Sequence, residues 1–391
     1  MMQQLPLLLY GCAIASMAWS HAAHSAISLV ATLILITTKP KINFFPTYGK
    51  ILIVCSVAIL FAFAVSPSKE SAWNDIKGLW PLAHLLIAPY AVQKGNVSQM
   101  INLLAVIGGL GAVASLMQWI GWLPQNSISN DGGKFVNTSH MWAFCISMNT
   151  IIIFCYNELW KRNYKEKCFF LIVTLLALLA IWANQGRANF LLALMSLIWI
   201  SFNQAGIKIH LKAIWILSIL GLGFLLLNYG DKKINSLIER SSLTQEISSP
   251  IRQAHWESAF DSFKEKPWLG HGLGAYPILA KQHPIHGELL KPYVEQGQIW
   301  SHNTPLQILA TTGIVGLLLI FILGVKILAP FIINRKTCHA AFTIGTSACL
   351  IHYGGSMTDT PSLQSVRLAA FTITIAICYG MQQRSHISPS K

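Results

Sequence analysis

The chain has 391 residues, 53% of them hydrophobic and only 11% charged, with a formal net charge of +14 and a mean hydropathy of +0.52. That balance excludes an ordinary soluble domain of this length and indicates a polytopic membrane protein. The excess of positive charge would suit a polyanion partner, but its placement along the chain argues against nucleic acid.

A spanning helix needs roughly 17 to 25 mostly apolar residues. Twelve stretches qualify in chain order: 4–20, 22–38, 50–65, 79–93, 98–122, 140–156, 168–184, 188–204, 213–229, 303–330, 338–353 and 364–382. The first lacks a basic leader and is followed at once by a second apolar run, so it is read as a span and not a signal peptide. With a cytoplasmic N-terminus, the inside segments hold fourteen Lys and Arg residues, among them Lys161, Arg162, Lys165 and Lys167. The short outside loops hold Lys69, Lys77, Lys134, Arg187 and Arg367. Short loops rich in Lys and Arg resist translocation, so both termini are expected in the cytoplasm. On the outside as a whole, thirteen cations face twelve carboxylates, and the net charge reads as a topogenic signal. All eight cysteines lie in or beside apolar runs, which offers neither a disulfide framework nor a thiolate metal site.

The expected architecture is an all-α polytopic bundle. Residues 1–229 form nine spans with short loops, 230–302 a large, partly helical extracytoplasmic loop, 303–382 the last three spans, and 383–391 a cytoplasmic tail. Long loops are usually functional, and the candidate residues cluster around this one. Arg187, in Asn184-Gln185-Gly186-Arg187 between spans seven and eight, is an outer arginine at membrane depth. It reads either as a snorkelling side chain or as a cation facing an anion. Within the loop, Ile251, Trp256, Ala259, Phe260 and Phe263 recur at helical spacing and predict an amphipathic helix, stopped by Pro267 and the glycines at 270, 272 and 274. Arg252 stands at its start, as a solvated charge or as a guanidinium set for an anion. Gly270-His271-Gly272-Leu273-Gly274 follows no strand and precedes no phosphate-loop lysine, so it reads as a turn. His283 and His286 could ligate a metal but lack a third ligand at recognisable spacing.

Ser301-His302-Asn303 then sits on the lip of the tenth span. Ser301, Asn303 and Thr304 are capping types and Pro305 suits a first helical turn, while a neutral imidazole can take a proton from a hydroxyl near pH 7. His302 is therefore the candidate base, held at fixed depth by a helix cap. Asp359 and Arg367 flank the last outer loop and could pair or orient a ligand. No acidic pair suggests a divalent cation, and neither metal nor cofactor is expected.

These residues carry a resemblance. WSHNTPLQILATTGIVGL resembles the His-Asn-x-x-Leu-Gln signature, with its downstream Gly-x-x-Gly, of the bacterial O-antigen ligase and polymerase superfamily. PWLGHGLGAYP resembles that family's Pro-x-x-Gly-x-Gly-x-Gly segment, with His271 a departure from the usual small or apolar residue. The order of parts also fits, from an arginine-bearing outer loop at Arg187, through an arginine-led helix at Arg252, to a histidine before the next span. The resemblance implies a bundle like that of GT-C glycosyltransferases in the bacterial inner membrane, with its active site on the periplasmic face. The donor would be O-polysaccharide on undecaprenyl diphosphate, and the acceptor the lipid A core oligosaccharide. Arg187 and Arg252 would neutralise the diphosphate, His302 would accept the acceptor's proton in a direct inverting displacement, and Asn303 would orient the histidine or touch substrate. An O-antigen polymerase shares these motifs, as do O-linked oligosaccharyltransferases, whose longer chains carry an added C-terminal periplasmic part. A lipid-linked sugar transporter is the reading from another class, but neither inverted repeats nor broken mid-membrane helices are visible in the sequence.

Overall fold

A computed structural model describes residues 5–16, 21–37, 49–94, 96–119, 164–183, 187–203, 250–295, 300–335, 338–357 and 365–387, with isolated positions 122, 147, 150 and 152. Every regular element among them is helical. In chain order these are α1 (Leu5–Ser16), α2 (His21–Thr37), α3 (Gly49–Ala64), α4 (Lys69–Gly78), a 3-10 turn (Trp80–Ala83), α5 (His84–Ile87), α6 (Pro89–Lys94), α7 (Val97–Trp119), α8 (Tyr164–Ala183) and α9 (Arg187–Asn203). The long loop supplies α10 (Pro250–Glu265), α11 (Tyr276–Gln282) and α12 (Gly287–Glu295). Then come α13 (Thr304–Ile333), α14 (His339–Ser356) and α15 (Ser365–Ile387).

Among the described residues, two helices are long and apolar enough to cross a membrane by themselves, over Val97–Met117 and Thr304–Ile333. Shorter apolar helices cover Ala26–Leu35, Gly49–Ala64, Ala188–Asn203 and Leu368–Gln382. Along α13, Leu318, Phe321, Ile322 and Val325 are exposed, an apolar stripe that water would penalise and lipid would not. The expected spans at 140–156 and 213–229 lie outside the described helices.

Two expectations are corrected. The stretch 79–93 is not one helix but the 3-10 turn, α5 and α6 in succession. Pro81 and Pro89 lack the N–H that a continuous helix needs, and each opens its own short piece. The loop helix α10 does form at the predicted place, but its buried face is Ala254, His255, Ser258, Ala259 and Ser262. Phe260, part of the expected apolar face, is instead exposed beneath the Lys264 ammonium. The small residues allow a close approach to α13, whose Ala310 joins Ala254, Ala259, Tyr276, Ala280, Leu290 and Val294 in a separate small core. The loop helices are thereby packed onto the apolar helix that follows them.

What locks them there is a break in α13. Gly313 has φ 65° and ψ −165° in the middle of the helix, a conformation open to glycine and costly to other residues. The break leaves carbonyls on one side and amides on the other without helical partners, and the glycine turn supplies both. His271 N–H donates to Ala310 O at 3.0 Å and Gly272 N–H to Thr311 O at 2.8 Å. In return, Ile314 N–H donates to Pro267 O at 2.8 Å and Val315 N–H to Trp268 O at 3.2 Å. On its other side the turn is held by the α3–α4 corner. Leu273 N–H donates to Ala62 O, Ser66 Oγ–H to Leu273 O, and Gly274 N–H to the Asp75 carboxylate at 2.8 Å. The two glycine motifs are thus halves of one backbone clamp.

Candidate functional site

Ser301-His302-Asn303 forms the turn into α13, and each neighbour of the histidine is tied down. Asn303 is the N-cap; its Oδ1 accepts from Leu306 N–H at 3.0 Å and its Nδ2 donates to Met357 O at 3.0 Å. Ser301 N–H donates to Oε1 of the buried Gln307 at 2.7 Å, and Ser301 Oγ–H to Asn303 O at 2.8 Å. This is a capping box extended by one position: the asparagine satisfies a helix amide while a glutamine reaches back to the incoming strand of chain. The asparagine and glutamine of the His-Asn-x-x-Leu-Gln pattern therefore have a local task apart from any chemistry. His302 itself has φ 56°, the one non-glycine positive φ among the described residues. Such a conformation is retained where the surroundings over-determine it, and it is most frequent at functional positions.

Beside this turn lies α10. His255, one helical turn after Arg252, is fully buried, and its ring stands edge-on to that of His302 with centroids 5.8 Å apart and an interplanar angle of 68°. Residues three apart on a helix are neighbours on its surface. The half-buried Arg252 therefore stands one helical turn from His255, on the helix whose His255 meets His302. Behind His255, the Tyr276 hydroxyl donates to His255 O at 3.1 Å and meets His255 Nδ1 at 2.7 Å. Both bonds are made only when Nδ1 carries the proton, since the single hydroxyl hydrogen is used on the carbonyl. Burial, and secondarily the neighbouring His302, lower the His255 pKa to about 4, so that ring is neutral at pH 7. Burial also raises the Tyr276 phenol.

Arg187 opens α9 as its first helical residue; its side chain is outside what is described. Its end of the bundle can be located from its neighbours. Leu192 of α9 packs so closely on Gly354 of α14 that a Cβ there would lie 2.5 Å from Leu192 Cδ2. Met357, three residues beyond Gly354, holds Asn303. At 1.5 Å rise per residue, the Arg187 end of α9 and the His302 turn are at the same end of the helices. Arg367 lies in the first turn of α15 with its side chain undescribed, and Asp359 lies outside the described residues.

Several sequence features find other tasks. His283 and His286 stack with centroids 4.9 Å apart, and each reaches a carboxylate of α10: His283 Nε2 with Asp261 at 3.3 Å and His286 Nε2 with Glu257 at 2.6 Å. Asp261 is held below the usual carboxylate range, first by Lys264 and then, against a small burial penalty, by His283. The pair straps α12 to α10. His271 Nε2–H donates to Ser262 O at 2.9 Å, a carbonyl near the end of α10 that also accepts the longer 3.4 Å bond from Lys266 N–H. Two participants had no signal in the sequence. His255 looks like one more polar residue in a helix, and Asp75 lies in the polar helix α4, which no apolar period marks. Asp75 is buried, and that burial raises its pKa from 3.8 to about 6 despite the bond from Gly274 N–H.

Comparison with known proteins adds one assignment. No curated protein matches the chain significantly. Residues 169–321 match the family model described as O-antigen ligase, a stretch that runs from α8 into α13 and contains Arg187, Arg252, His302 and both halves of the backbone clamp. Over residues 169–321, then, this chain is similar to the O-antigen ligase family.

Proposed function

We propose that the protein is an O-antigen ligase, which transfers O-polysaccharide from undecaprenyl diphosphate to the lipid A core oligosaccharide at the periplasmic face of the bacterial inner membrane. The observation that carries this reading is the His302 turn, strained and capped at the start of the apolar helix α13, with the Arg252-bearing helix packed against it. A membrane-anchored diphosphate needs cations at the lip of apolar helices, and Arg252 and Arg187 are assigned that part, Arg187 as the first residue of α9. In the reaction, the acceptor hydroxyl gives its proton to His302 as its oxygen attacks the anomeric carbon. The bond from that carbon to the diphosphate oxygen breaks with inversion, and the arginines stabilise the departing charge. No metal or cofactor is assigned a part. Asn303, which carries the His302 turn, sets the height of the imidazole, and Asp359 and Arg367 are assigned to ligand orientation across the same face. In this reading both termini are cytoplasmic and 230–302 is the periplasmic loop.

One gel tests it. A deletion strain of a lipopolysaccharide-producing host should accumulate undecaprenyl-linked polymer while its core stays unmodified. A core carrying a single repeat would instead identify an O-antigen polymerase, which uses the same donor and a lipid-linked acceptor. Normal long-chain lipopolysaccharide in the deletion would remove both.

A further inference from the structure

We infer that His255 is a positioning residue for His302: its Nε2 accepts a hydrogen bond from the His302 ring when that ring takes up the acceptor's proton. The inference rests on the reading of His302 as the base, and it starts from an unbalanced group. His255 is fully buried, its Nδ1 is engaged by Tyr276, and its Nε2 has no hydrogen-bond partner. A core histidine held for packing alone ordinarily satisfies both nitrogens, because an orphaned buried polar atom is costly. Here the tautomer fixed by Tyr276 leaves Nε2 with a lone pair, next to the one imidazole that the proposed reaction protonates.

The bonding balances. The acceptor's proton moves to one nitrogen of His302, whose ring then carries an N–H on each nitrogen and a positive charge. His255 Nε2 accepts from the other N–H and keeps its own proton on Nδ1. No proton passes to His255, which its depressed basicity forbids. The other titratable groups around the pair are Arg252 on the same helix and Tyr276 from α11. On α12, Glu288, Lys291 and Glu295 are exposed, as is Lys281 of α11. The α10 carboxylates Glu257 and Asp261 pair with His286 and with Lys264 and His283, and the acceptor inferred for the His302 N–H is the neutral Nε2 of His255.

The test uses the full-length protein in proteoliposomes, with a polyprenyl-diphosphate-linked glycan as donor and lipid A core as acceptor, over a pH series. His255→Phe removes the acceptor atom and keeps a ring. His255→Gln restores an amide oxygen near the Nε2 position, and Tyr276→Phe frees the tautomer. His255→Phe should lower kcat roughly ten- to a hundredfold, the range of a hydrogen bond to a charged group, with the donor KM within twofold. The acid limb of its kcat profile should move to lower pH by about one unit or more, because the His302 imidazolium loses a stabilising contact. His255→Gln should recover most of both, and Tyr276→Phe should fall between. An unshifted acid limb in His255→Phe, or a donor KM that rises in step with lost thermal stability, overturns the inference. His302→Ala is run beside them. Activity retained there removes the base assignment itself, whatever His255 does.

Discussion

Gly313→Ala should open the clamp between the glycine turn and α13. A Cβ at 313 would stand 2.3 Å from Trp268 O, 2.4 Å from Trp268 C and 2.6 Å from Leu269 N. All three are backbone atoms, so no side chain can swing aside to make room. The residue also sits at φ +65°, which costs an alanine about 1 to 2 kcal/mol. Relieving the clash by withdrawing the turn breaks four backbone hydrogen bonds of 2.8 to 3.2 Å. At about 1 kcal/mol each, that is about 4 kcal/mol of local stability. Hydrogen exchange measured by mass spectrometry on the purified full-length protein reads this directly. Peptides covering 267–273 and 310–316 should exchange about a thousandfold faster, since 1.4 kcal/mol is a factor of ten. Transfer activity should fall by about a hundredfold or more, because α10 would no longer hold Arg252 in register. Gly109→Ala is the control: its Cβ would meet only Val173 side-chain atoms, at 3.4 Å or more, and exchange should be unchanged. Wild-type exchange at both peptides in Gly313→Ala would refute the clamp.

Asp75→Asn keeps an acceptor for Gly274 N–H and removes a buried charge. Because the folded pKa is raised from 3.8 to about 6, the native carboxylate loses stability as pH rises between those values. The variant should therefore gain up to about 3 kcal/mol at pH 7, read as a higher Tm at pH 7 and no gain at pH 3.5. His255 has the opposite sign. With its pKa lowered from 6.5 to about 4, its unfolded form binds a proton first, so stability falls as pH drops through that window. His255→Phe should flatten this limb in a Tm–pH series. Asn303→Ala removes both the cap to Leu306 and the tie to Met357. It should cost about 2 kcal/mol, visible in thermal unfolding. Arg252→Lys should leave Tm unchanged and still lose most activity, because an ammonium cannot present a planar fork to a diphosphate.

Much of this was legible because it is local. Apolar runs announce α7 and α13, the sequence Ser301-His302-Asn303-Thr304-Pro305 announces a capped start, and Arg252 to Phe263 announces the loop helix. What local pattern cannot supply is which face is buried. In α10 the aromatic residues carry the sequence period, yet the small face with His255 packs on α13, because Ala and Ser permit the approach that the Gly313 clamp requires. Asp75 and His255 become notable only through partners far along the chain, Gly274 for the one and His302 for the other. The broken stretch 79–93 was readable from Pro81 and Pro89, whose helix-breaking effect was outweighed by the apolar composition around them. Conversely, the spacing between the two glycine motifs was visible throughout, but their joint purpose needed the break at Gly313.

The central claim is that His302 takes the acceptor's proton on the face where Arg252 and Arg187 hold a lipid diphosphate. Its most direct measurement is single-turnover glycan transfer by purified protein in proteoliposomes, from undecaprenyl-diphosphate-linked donor to lipid A core, comparing wild type with His302→Ala and His302→Gly. The glycine variant is informative because it accepts the φ of 56° without strain and leaves the cap intact. Both variants should bind donor as the wild type does and form no product. Transfer at the wild-type rate by His302→Gly would contradict the account.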